Sequence, residues 1–113
     1  MLERITRRAV FTAFAPPAPR HRAGPLTLVV AERPPDDGDG AGMAMAVSRK
    51  VGPAVVRNRL RRQVRAAAAE LDAERALRRG WYLVILHPPA RGRSTAELRS
   101  ALSDALDRAG ARP

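Results

Sequence analysis

Met43 to Arg65 reads MAMAVSRKVGPAVVRNRLRRQVR, and this run holds a strand, a turn and the start of a helix. In the first part large and small side chains alternate. Met43, Met45 and Val47 point one way, and Ala44, Ala46 and Ser48 the other, as the two-residue period of a strand requires. The large side suits packing against a helix, and the small side leaves room for something to lie on the sheet. Gly52 and Pro53 end the strand, and Pro is tolerated in the first turn of a helix. A helix is therefore expected from about Pro53 to Leu71, with continuation past Asp72 toward Arg79 allowed and Gly80 ending it.

The faces of that helix differ sharply. At about 100° per residue, Val56, Leu60, Val64, Ala67 and Leu71 fall on one apolar stripe. Arg57, Arg61 and Arg65 form a neighbouring row, Asn58 and Arg62 the next, and Arg59 flanks the stripe on its other side. No acidic residue occurs from Arg49 to Ala69, and Arg49-Lys50 add two charges just before the helix. Like charges four apart cost roughly 0.2–0.5 kcal/mol per pair in an isolated helix. A merely solvated face would intersperse Glu, as Glu70 and Glu74 do further along. A guanidinium row without acids suits phosphates, each contact releasing counterions.

Outward from this segment, Glu3 to Phe14 can form a first helix, which Pro16 and Pro17 stop. PPAPRHRAGP then reads as a loop or extended segment. Leu26 to Glu32 is short, apolar and β-branched, a buried strand. Pro34 to Gly42 reads as a flexible hairpin-type connection. Trp81 to His87 is another strand, closed by Pro88 and Pro89. Ser94 and Glu97 have capping-box spacing, and Leu98, Ala101, Leu102, Ala105, Leu106 and Ala109 follow the 3.6-residue period. The order is α-β-β-α-β-α, an α+β single-domain sandwich over residues 1–113 with helices on one small sheet. Residues 110–113 are expected to fray.

The composition fits this reading. The chain has 113 residues, 45% hydrophobic and 28% charged, enough for one modest core. Net charge is +10, so a polyanion, nucleic acid above all, is the expected partner class. Twenty of the 21 basic residues are Arg, alongside much Ala, Gly and Pro, which reflects a GC-rich genome. The placement of the charge therefore says more than the choice of Arg. No cysteine is present, which excludes disulfides, zinc fingers and thiol catalysis. No apolar run approaches a membrane span, and without a secretory signal a cytoplasmic location is expected.

The segment SRKVGPAVVRNRLRRQVR resembles the signature of the bacterial ribonuclease P protein family. In that family a strand ending Val-Ser-Lys-Lys leads through a Gly-x-Ala-Val turn into an Arg-Asn-Arg helix. Arg49-Lys50 stand for the paired lysines, Gly52 and Ala54-Val55 for the turn, and Arg57-Asn58-Arg59 for the helix start. Arg61, Arg62 and Arg65 match the downstream basic positions. The resemblance implies a ribosomal protein S5 domain 2-like fold with a left-handed βαβ crossover. It also implies a subunit that binds the ribonuclease P RNA and the 5′ leader of precursor tRNA. In such a holoenzyme the RNA holds the catalytic Mg²⁺, and neither a protein catalytic residue nor a further protein partner is expected. The family's first helix carries a Phe-x-x-Val-Phe pattern bordering a cleft. Val10, Phe11 and Phe14 stand there, with Phe14 expected to reach the cleft beside Ala44, Ala46 and Ser48.

Other constellations are weaker. Asp36, Asp37 and Asp39 lack the downstream Glu of a calcium loop and read as a solvated tip. His87 ends a strand, where it could stack on a base or simply be satisfied; His21 lies between two arginines. A ribosomal-type RNA-binding protein, a metal-dependent nuclease using the three aspartates, and an arginine-rich DNA-binding domain are the rival readings.

Overall fold

The basic helix buries the stripe expected of it. In the computed structural model, which describes residues 2–112, α1 spans Ala54–Glu74 and buries Leu60, Val64, Ala67, Ala68 and Leu71. A 3₁₀ turn, Arg49–Val51, leads into it, and Pro53 is its N-cap residue. The helix stops at Glu74, short of Arg79. Asp72 Oδ1 accepts the Leu77 N–H at 3.0 Å, turning the chain out of the helix, and buried Leu77 anchors the new course. Gly80 does not cap the helix; it opens the next strand.

Five strands form one mixed sheet: β1 Glu3–Arg4, β2 Arg20–Ala23, β3 Leu26–Ala31, β4 Ala41–Val47 and β5 Gly80–Leu86, in the order β1-β4-β5-β3-β2. β4 and β5 are parallel neighbours joined through α1, while β5 runs antiparallel to β3. Because β5 lies between β3 and β4, residues 34–40 cross from one strand to another that it does not pair with. The hairpin-type connection expected there is therefore absent. The true hairpin joins β2 to β3 through Gly24-Pro25, with Gly24 at φ 53° and Ala23 opposite Leu26. Positive φ at the first turn position followed by Pro is the arrangement of a II′ turn, which suits the twist of paired strands. β2 was expected only as an irregular or extended segment. It is an edge strand with one buried residue, Ala23, so no hydrophobic alternation announces it.

The first element also differs from expectation. Instead of an α-helix from Glu3, residues Glu3 and Arg4 pair in parallel with Gly42 and Met43. A 3₁₀ helix then runs from Arg8 to Phe14. The pairing requires a bare backbone opposite: a Cβ on Gly42 would lie 2.5 Å from the Trp81 ring and 3.1 Å from Ile5.

The two faces of β4 meet different layers, as its alternation predicts. Met43, Met45 and Val47 join the main core with α1 and α2 (Thr95–Arg108). Ala44 and Ala46 face a smaller cluster of Ile5, Val10, Phe14, Val29, Trp81 and Leu83. α2 begins with the full capping box: Ser94 Oγ accepts the Glu97 N–H at 3.1 Å, and Glu97 Oε1 accepts the Ser94 N–H at 3.0 Å. Residues 110–112 are docked, not frayed. Ala111 is buried, its carbonyl accepts the Arg78 N–H, and Arg112 pairs with Glu74; Pro113 lies outside the described residues.

Candidate nucleic-acid interface

Ion pairing divides the arginines into two populations. Arg7, Arg33, Arg75, Arg93, Arg99 and Arg112 each have a carboxylate partner. Among the described residues, none of the cations from Arg49 to Arg65 does. Arg57 Nε donates to the Gly52 carbonyl at 3.2 Å, and Arg61 Nη1 to Asn58 Oδ1 at 3.1 Å. These contacts orient the two guanidiniums without neutralising them. Arg49, Lys50, Arg59, Arg62 and Arg65 are exposed. The acid-free run in the sequence is thus a run of cations without a carboxylate partner among the described residues.

That surface borders a groove. β1 covers only Gly42 and Met43 of β4, so the strand's outer edge is open beyond them. Met43, Ala44 and Met45 form the floor; Leu2–Ile5 and Phe11 make one wall, and Arg61, Arg65 and Ala68 of α1 the other. A second recess adjoins it at the ends of β4 and β5, lined by Ala46, Ser48, Lys50, Ile85 and His87 among others. Arg61 lines both recesses. The arrangement is an apolar trough with cations along one rim, suited to bases on the floor and phosphates at the wall.

The expected cleft residues divide. Ala44 is buried under the N-terminal segment, Ala46 is half-buried, and Ser48 is exposed. Val10 is buried, and Phe14, the aromatic expected to reach the cleft, is only 3% exposed. Phe14 belongs to the smaller core cluster with Val29, Ala44 and Trp81. Phe11 is 40% exposed and lines the groove, with its ring edge-on to Phe14 at 6.2 Å. The exposed aromatic is therefore Phe11, and Phe14 supports it from beneath.

His87 Nε2 lies 2.8 Å from Thr27 Oγ1. Desolvation, and then the Arg22 charge, hold its imidazole below the ordinary histidine range. It presents a neutral ring at the mouth of the second recess.

The acidic loop is tied down by arginines. Asp37 accepts two bonds from Arg7 Nη2, both at 2.8 Å. Arg33 donates to the carbonyls of Asp37, Asp39 and Gly40, and Arg79 to those of Arg33, Pro34 and Gly38. The Asp37 carboxylate and several loop carbonyls are thus held by guanidiniums, and these same bonds pin a loop expected to be flexible. Among the described residues no group of three or more His, Asp or Glu side chains could hold a metal.

Several contributors escaped sequence reasoning. Arg33 is 5% exposed and stacks 4.4 Å above the Trp81 ring while bonding Glu3 at 3.0 Å, which fixes the N-terminal wall. No pattern marks one buried arginine among so many. The Leu2–Ile5 wall depends on pairing with a strand some forty residues away, which leaves no local signal.

The comparisons with known proteins identify the family and the fold. The family model described as Ribonuclease P matches residues 2–110. The ribonuclease P protein component of Gluconacetobacter diazotrophicus is 36% identical over 109 residues, covering 96% of this chain and 92% of its own. Two solved structures share the fold. The Staphylococcus aureus RNase P protein superposes with a TM-score of 0.83 at 21% identity, covering 97% of each chain. The Thermotoga maritima RNase P protein gives 0.79 at 20% identity, covering 94% of this chain and 96% of its own.

Proposed function

The chain belongs to the ribonuclease P protein family and is a subunit of that tRNA-processing endoribonuclease, and from this premise we propose how its surface divides the work. The basic face of α1, with Arg57, Asn58, Arg59, Arg61, Arg62 and Arg65, holds the RNA subunit, and Arg49 and Lys50 extend that contact toward the sheet. The groove between Phe11 and α1 holds the single-stranded 5′ leader of precursor tRNA, its path continuing over Ala46 and Ser48 to His87. Val10, Phe14 and Ala44 shape the floor from below. The observation carrying this reading is that unneutralised arginines and the one exposed aromatic of the first helix line the same groove.

The protein's contribution in this scheme is positional and electrostatic. Bringing cations to the junction of two RNAs offsets their mutual repulsion. The Mg²⁺ ions of the reaction are assigned to the RNA subunit. The chemistry takes place on RNA, and a cytoplasmic setting suits it.

The test compares affinities of the reconstituted holoenzyme for leader-bearing and leaderless tRNA. Phe11→Ala should weaken binding of the leader-bearing form by about tenfold, a stacking loss of roughly 1–3 kcal/mol, and leave leaderless binding unchanged. Equal losses for both would remove the leader from this groove.

A further inference from the structure

The helix has a second basic flank that faces away from the groove. Arg59 and Arg61 are two residues apart, about 200° around an α-helix, so when Arg61 lines the groove Arg59 looks to the opposite side. There Arg59 meets Arg91 in a separate recess of about 230 Å³, lined also by Val56, Leu60, Gln63 and Gly92.

Arg91 is placed there by a fixed loop. Gln63 Nε2 donates from α1 to the Arg93 carbonyl at 3.2 Å and to Thr95 Oγ1 at 3.3 Å, clamping residues 93–95 to the helix. Arg93 is committed to the Pro89 carbonyl and to Glu97, each at 3.1 Å. Arg91 Nη1 comes to 3.3 Å from the position a Cβ on Gly52 would occupy. Its guanidinium therefore lies over the first turn of α1. That turn carries no acidic residue and no side-chain cap, so the positive end of the helix dipole is unanswered.

Two guanidiniums thus line one recess beside a positive helix end. Among the described residues, neither the Arg59 nor the Arg91 guanidinium has a carboxylate within ion-pair distance. Held together by a clamped loop, they repel each other unless an anion lies between them. We propose that Arg59 and Arg91 form a phosphate-binding notch for a second segment of folded RNA backbone, on the flank of α1 opposite Arg61 and Arg65. The helix is then gripped from two sides, a wedge between two phosphate chains. Residue choice fits this function: the planar fork of Arg binds phosphate in a bidentate manner, and the apolar wall of Val56 and Leu60 lowers the local dielectric. The inference rests on α1 being the RNA-subunit helix.

The experiment is the salt dependence of RNA-subunit binding for wild type, Arg91→Ala, Arg61→Ala and Arg75→Ala. Arg75 pairs with Asp107 near the far end of α1 and serves as the control. Thermal unfolding checks that each variant folds. Arg91→Ala and Arg61→Ala should each lower the slope of log K against log salt by about 0.7–0.9, one phosphate contact, with Arg75→Ala unchanged. A wild-type slope for Arg91→Ala beside a reduced slope for Arg61→Ala would overturn the notch and leave the RNA-binding helix standing. Wild-type slopes for both would overturn the notch and the helix reading together. Because the chain has no cysteine, Arg91→Cys and Arg65→Cys can each carry a single hydroxyl-radical probe. Cleavage of two separate RNA segments is expected, and cleavage of one shared segment would overturn the second backbone contact.

Discussion

Phe11 and Phe14 sit three residues apart and have opposite roles. Phe14 fills the smaller core between the 3₁₀ helix and the sheet, and Phe11 lies beside it at the groove rim. Phe14→Ala should therefore destabilise the fold by about 3–5 kcal/mol, the usual cost of emptying a buried aromatic site, measurable by urea unfolding. A loss below about 1 kcal/mol would show that Phe14 is not a core residue. The sequence could not assign these roles, because they depend on a 3₁₀ rather than an α-helical path. The entry angle of that path is set by Ile5 and β1 against β4. The basic residues of α1 were legible for the opposite reason: a 3.6-residue period and the missing acids are local properties.

At the scale of elements, the long helices and the alternating strand could be read because each carries its own period. α2 is the clearest case, since its apolar repeat begins behind a cap whose chemistry is written in Ser94 and Glu97. Ser94→Ala should cost about 1 kcal/mol. The Ser94 backbone N–H, then the Arg93 guanidinium, hold the Glu97 carboxyl below the usual carboxylate range. A depressed folded value stabilises the protein above the unfolded carboxyl pKa, and that stability is lost as pH falls through the folded value. Glu97→Gln should therefore flatten the acid limb of the stability curve below about pH 4.3. An acid limb identical to that of wild type would show that the carboxylate does not matter. β1 and β2 were not legible. Two and four residues carry no period, and their pairing is decided by partners distant in sequence. The same non-locality placed β5 between β3 and β4, undoing the hairpin that a short acidic linker suggested.

Over the whole molecule, charge is sorted by position. Carboxylates answer arginines around the acidic loop and along the α1–α2 seam, where Arg99 meets Glu70 and Glu74. The first half of α1 and the turn before it remain unanswered. Such an imbalance disfavours the isolated fold and favours a polyanionic partner. Among the described residues no helix is long and apolar enough to cross a membrane. If the uncompensated face serves to offset repulsion between two RNAs, its effect must be largest where Mg²⁺ is too scarce to do so. The deciding measurement is cleavage of a leader-bearing precursor tRNA by the RNA subunit across a Mg²⁺ titration. It is run without protein, with wild type, with the Arg61→Ala/Arg65→Ala variant, and with protein alone. Wild type should stimulate strongly at low Mg²⁺ and little at high Mg²⁺, the double variant should lose most of the low-Mg²⁺ gain, and protein alone should not cleave. Stimulation that is equal at all Mg²⁺ concentrations, or cleavage by the protein alone, would contradict an electrostatic, positional role.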